Sequence, residues 1–99
     1  MRLDARQREA ILEEVERVFG REALVRVFGS RLRDEARGGD VDLFVEAQAP
    51  IDDPAWRTAQ LEARLMRRLD GRRVDVLLAA DNLLEQPIHG IARAEGVLL

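Results

Sequence analysis

Two aspartates stand one residue apart, Asp40 and Asp42, at the head of the apolar run Val41-Asp42-Leu43-Phe44-Val45, and nine residues separate Asp40 from the preceding pair Gly29-Ser30. A second apolar run, Leu24 to Phe28, leads into that pair. A small-residue turn therefore follows one predicted strand, and two carboxylates occupy alternate positions of the next. Alternate residues of a strand project to the same face, so Asp40 and Asp42 point together. Like charges held side by side repel and require a compensating cation. Hard divalent cations take oxygen ligands, and Mg²⁺ binds through one or two carboxylates together with substrate phosphates. The pattern has the chemistry of half a metal–nucleotide site.

The rest of the chain alternates between helical and strand periodicity. Asp4 to Phe19 carries Ile11, Val15, Val18 and Phe19, with Leu12, as a helical apolar stripe, and Arg and Glu cover its other face. Gly20 is its stop signal. Ala23 to Phe28 reads as a strand, and Ser30 to Arg37 as a short helix with Ser30 as N-cap, broken by Gly38-Gly39. Asp40 to Val45 is a second strand. Asp53-Pro54 opens a helix as N-cap and first residue. That helix runs to about Asp70 with Leu61, Leu65 and Leu69 as a core stripe, and Gly71 ends it. Val74 to Ala79 is a third strand, Pro87 to Glu95 a last helix capped by Gly96, and Val97-Leu98-Leu99 a terminal stub.

Such alternation predicts an α/β or α+β architecture with one small sheet. In the second strand Val41, Leu43 and Val45 share the helix-packed face, and Asp40, Asp42 and Phe44 the opposite one. In the third, Val74, Val76 and Leu78 pack, while Arg73, Asp75 and Leu77 face the other way. If these strands are neighbours, ~4.8 Å apart, Asp75 joins Asp40 and Asp42 at one end of the sheet.

Composition narrows the functional classes. Ninety-nine residues suit one domain with one modest core. Net charge is −3, so a basic footprint for nucleic acid is missing and direct nucleic-acid binding is not expected. All 16 basic residues are arginine, and a Walker-type phosphate loop needs its lysine, which argues against that NTPase class. Without cysteine, disulfides and thiolate metal sites are excluded. No apolar run approaches the ~20 residues of a membrane span, and the start of the chain has no apolar signal core. A cytoplasmic protein is the expectation.

The set Gly29-Ser30, Asp40-x-Asp42 and a later strand-borne Asp75 resembles the DNA-polymerase-β-type nucleotidyltransferase superfamily. With Arg31 and the ending Ile91-Ala92-Arg93-Ala94-Glu95-Gly96-Val97-Leu98, the chain looks like its minimal nucleotidyltransferases, single-domain proteins often encoded beside HEPN-domain proteins as toxin–antitoxin pairs. The resemblance covers nearly the whole chain, residues 1–99, as one nucleotidyltransferase domain. Two positions depart from the pattern: Gly39 stands where Ser or Thr often precedes the first metal-binding Asp, and Leu32 where a small residue is usual.

The resemblance implies a polymerase-β-like fold, a small mixed sheet flanked by helices. It implies that Asp40, Asp42 and Asp75 hold two Mg²⁺ ions, and that Asp75 helps deprotonate the acceptor hydroxyl. Gly29, Ser30 and Arg31 would then bind the phosphates of ATP or another NTP; a helix N-terminus after Ser30 suits an anion. Arg33 and Arg37 lie on the same connection. His89 reads as a surface or capping histidine, and Trp56 as a core residue or a partner contact. A chain of this size has no evident acceptor site of its own. The implied function is transfer of AMP to a hydroxyl of a HEPN-type toxin, with this protein as antitoxin. A binding-only antitoxin with a vestigial site, and a small-molecule nucleotidyltransferase of the antibiotic-modifying kind, stand as alternatives.

Overall fold

The computed structural model of the chain describes residues 3–28 and 41–99. The expected helix from Ser30 to Arg37 lies outside the described residues. Helix α1 (Ala5–Phe19) begins with a capping box: the Asp4 carboxylate accepts from the Gln7 amide at 2.8 Å, and the Gln7 side chain accepts from the Asp4 amide at 3.0 Å. This satisfies amides that the first turn leaves without partners. Strand β1 (Leu24–Val27) follows, then β2 (Val41–Glu46), helix α2 (Pro54–Arg68), β3 (Val74–Ala79), helix α3 (Pro87–Glu95) and β4 (Val97–Leu98). The expected boundaries hold to within a residue or two.

The four strands form one mixed sheet in the order β3-β2-β1-β4. β1 pairs antiparallel with β2 and with β4, whereas β2 and β3 run parallel. Parallel neighbours need a long crossover, and α2 supplies it. Val97 and Leu98, expected as a terminal stub, are instead an edge strand paired with Val27 and Arg26. Leu99 donates its amide to the Val25 carbonyl at 2.9 Å and packs on the core.

One face of the sheet carries the core. Val41, Leu43 and Val45 of β2, Val74 and Leu78 of β3, and Val25 of β1 pack against Ile11, Val15 and Val18 of α1 and Leu61 and Leu65 of α2. Leu69, just past the end of α2, completes the stripe predicted with Leu61 and Leu65. That helix ends as Asp70 and Gly71 turn left-handed (φ 60° and 81°), and the Gly71 amide donates to Met66 O at 2.8 Å, the six-to-one bond of a Schellman stop. At the other end Asp53 takes the N-cap position with φ 50°, but its side chain makes no capping bond; Pro54 and the Arg57 side chain organise the start.

The charged face of α1 is partly buried. Glu14 is buried, with a side chain only 5% exposed, and Arg64 Nε donates to it at 2.5 Å and Arg68 Nη1 at 3.1 Å, joining α1 to α2. Burial pushes the Glu14 carboxyl up, but the hydrogen bonds from Arg64 and Arg68 and the charges of Arg64 and Arg17 outweigh it, and the net shift is downward. A carboxyl whose folded pKa is depressed contributes stability above its unfolded value and loses it as pH falls through the folded value. Stability should therefore decline as pH drops below the ordinary value of 4.5. In Glu14→Gln that acid slope should be shallower, a difference readable from melting temperatures between neutral pH and pH 3.

On the opposite face α3 packs over Phe44, which is fully buried. The approach of chain segments is closest at Gly96. A Cβ there would lie 2.5 Å from the Ala92 carbonyl oxygen, 3.1 Å from Arg26 Cβ and 3.3 Å from Phe28 Cβ. Because its φ is −74°, close packing and not backbone freedom requires glycine. Gly96→Ala should cost about 1–3 kcal/mol by overpacking, measured by urea unfolding.

Candidate functional site

The face that α3 partly covers is built from alternate residues of the strands: Asp42, Phe44 and Glu46 of β2, Asp75 and Leu77 of β3, and Leu24 and Arg26 of β1. The parallel register of β2 and β3 sets Asp42 directly opposite Asp75 and Phe44 opposite Leu77. Paired residues of adjacent strands share a face, so the two carboxylates stand side by side at the strand spacing of ~4.8 Å. The adjacency expected of the second and third strands is thus present. Asp42 is half-buried and Asp75 exposed.

Backbone bonds fix this end of the sheet. Phe28, just past β1, donates its amide to Asp42 O at 3.0 Å, and Val41 donates to Arg73 O at 2.9 Å. Phe28 and Val41 therefore both lie at the Asp42 end of the sheet. Gly29, Ser30, Arg31 and Asp40, together with Arg33 and Arg37, lie outside the described residues. Arg73 shares the face of Asp75 two positions on, with its Nε 3.4 Å from each carboxylate oxygen.

The other end of the face is closed by a charge network that strand periodicity alone did not reveal. Glu46 takes a hydrogen bond from Arg26, its diagonal neighbour on β1, and another from Arg93 Nε of α3 at 2.8 Å. Arg93 also reaches Glu85 at 2.9 Å and lies 5.3 Å above the Phe44 ring centroid. Burial raises the Glu46 pKa, but the hydrogen bonds from Arg93 and Arg26 and their charges prevail, and the carboxyl titrates below its usual value. Glu46 lies on the same period-two row as Asp42 and Phe44, which was the available signal; its cations come from two elements distant in sequence.

His89 is buried, not on the surface. It does close the start of α3, where the Gln86 amide donates to Nδ1 at 2.9 Å. Its Nε2 lies 3.0 Å from Leu78 O, and its ring meets Phe44 edge-on at 5.9 Å. With Nδ1 as an acceptor, Nε2 carries the proton and donates to that carbonyl. Trp56 is not a core residue: it is 67% exposed on the first turn of α2.

A small mixed sheet with helices on both faces, and acids paired in register on parallel neighbours, makes the polymerase-β-like nucleotidyltransferase fold. The family model of the nucleotidyltransferase domain matches residues 8–94, and the chain belongs to that family. No curated protein matches the chain closely enough to be named beside it.

Nucleotidyl transfer is the chemistry of this family, which generally works on nucleoside triphosphates with divalent metal ions. The donor set fits such an ion. Asp42 and Asp75 offer carboxylate oxygens, the ligands hard cations take. Among the described residues no group of three or more acids and histidines is placed to hold a metal, and the third expected ligand, Asp40, is outside them. Also among the described residues, no helix is long and apolar enough to cross a membrane.

Proposed function

We propose that this chain transfers AMP from ATP to a hydroxyl side chain of a HEPN-type toxin and so acts as its antitoxin. The observation that carries the reading is the pair Asp42 and Asp75, set in register on the parallel neighbours β2 and β3. Asp42 and Asp75, with Asp40, hold Mg²⁺, which when bound draws charge from the phosphates during displacement at phosphorus. Gly29, Ser30 and Arg31 bind the triphosphate. Asp75, 51% exposed in its side chain, is the acid a hydroxyl from another protein reaches, and it accepts the proton that the hydroxyl loses. The new bond joins that oxygen to the α-phosphorus, the bond to the bridging oxygen breaks, and pyrophosphate leaves.

Exposed apolar side chains support an acceptor carried on a protein. Ile88 and Ile91 are on the outer side of α3, Leu84 precedes it, and Val97 and Leu98 follow it. Trp56, exposed on α2, is a further contact for a partner. The chain works as one nucleotidyltransferase domain in the cytoplasm, beside that partner.

The test is incubation of the protein with its HEPN-type partner, Mg²⁺ and ATP labelled at the α-phosphate. Label on the partner, with loss of toxicity, is the expected result. Neutralisation without label would leave a binding-only antitoxin in its place, and label on an aminoglycoside-like alcohol but not on the partner would favour the small-molecule reading.

A further inference from the structure

We infer that Arg73 is a positioning residue of the nucleotide site, whose guanidinium holds the Asp75 carboxylate until a divalent ion takes it and then moves to the nucleotide's phosphates. This rests on reading Asp42 and Asp75 as metal ligands.

Arg73 is fixed where such an exchange is needed. Its carbonyl accepts the Val41 amide at 2.9 Å, which anchors its backbone one residue from Asp42. Its side chain lies on the same face as Asp75, and Nε is 3.4 Å from both oxygens of that carboxylate. The Arg73 side chain is 72% exposed, which leaves it room among the described residues to change rotamer. An exposed pair at this distance adds little to stability, and its loss on metal binding costs correspondingly little.

The competition follows from chemistry. A divalent ion and the guanidinium require the same Asp75 oxygens, and the compact double charge wins them. The released guanidinium would stay tethered to the site face by the Arg73 backbone, which the Val41 amide holds. Its planar fork matches phosphate oxygens bidentately. Two other arginines on this face are already committed: Arg26 to Glu46, and Arg93 to Glu46 and Glu85.

The experiment measures Mn²⁺ affinity of the full chain without nucleotide, by electron paramagnetic resonance, and then affinity for a non-hydrolysable α,β-methylene ATP analogue with Mn²⁺, by calorimetry. Arg73→Ala should bind Mn²⁺ roughly two- to fivefold more tightly, since a competing cation is gone. It should bind the analogue roughly three- to tenfold more weakly, since a charged phosphate contact is lost. Arg73→Lys should fall between wild type and Arg73→Ala in both. Opposite changes in the two affinities distinguish this role from a merely structural one. Unchanged affinities, or changes in the same direction, would overturn it. If Asp42→Asn loses Mn²⁺ while Arg73→Ala matches wild type, Arg73 alone has been misread. If Asp42→Asn binds Mn²⁺ as wild type does, the metal-site reading fails and this inference falls with it.

Discussion

Replacing Asp42 with Asn should lower nucleotidyl transfer by at least roughly a hundredfold while leaving the fold intact. A metal ion acting on phosphoryl oxygens contributes several kcal/mol of charge stabilisation, and each 1.36 kcal/mol is tenfold in rate. Asparagine keeps the shape of aspartate but removes the charge that attracts the ion. The backbone of residue 42 is held by its place in β2 and by the bond from Phe28, which the side chain does not enter. Stability should therefore change by no more than about 1 kcal/mol. The measurement is label transfer from ATP to the partner, with a urea melt of the same protein. Activity within tenfold of wild type would show that the acid pair is not where the metal works. A lost fold would show that Asp42 is structural first.

The largest stability loss is expected at Phe44. Its side chain is fully buried, but it faces away from the main core and is the anchor for α3. Removing it strips the surface on which His89 rests edge-on at 5.9 Å and over which Arg93 lies at 5.3 Å. Phe44→Ala should cost about 3–5 kcal/mol, which lowers the melting temperature of a chain this size by well over roughly 10 °C. A double-mutant cycle with Arg93→Ala should recover a coupling of about 0.5–1 kcal/mol for the cation over the ring. Phe44 lies two residues from Asp42 on the same face yet touches no reacting atom. At a temperature where the variant remains folded, transfer should persist, unlike in Asp42→Asn. A drop of only a few degrees would mean that α3 is held chiefly by the Glu46–Arg93 pair.

The two acids are legible in the sequence because their signal is local. Asp42 and Asp75 each occupy the non-core row of a strand whose other row is Val and Leu, and period-two alternation alone assigns the rows. Residues whose surroundings come from distant elements could not be read in this way. Glu14 sits among charged residues of α1 with no local mark of burial, but two arginines of α2 fold over it. His89 carries no local mark of burial; Phe44 and the Leu78 carbonyl make its pocket. Trp56 read as core or a partner contact, but the inward stripe of α2 is filled by Leu61 and Leu65, and its position on the helix leaves it in solvent.

By itself the sequence determined the helices α1, α2 and α3 and the strands β1, β2 and β3, with ends good to a residue or two, and which row of β2 and of β3 meets the helices. It also placed the candidate acids on the opposite row. These depend on residue type and on spacings of two or about 3.6, properties of a few neighbouring residues. Only the tertiary structure decided that β2 runs parallel to β3 with Asp42 against Asp75, that Val97 and Leu98 close the far edge of the sheet, and that α3 covers Phe44. Strand order and register are set by contacts between residues far apart in the chain. Their energy comes from filling a shared core and satisfying backbone bonds across the sheet, and no local pattern encodes it.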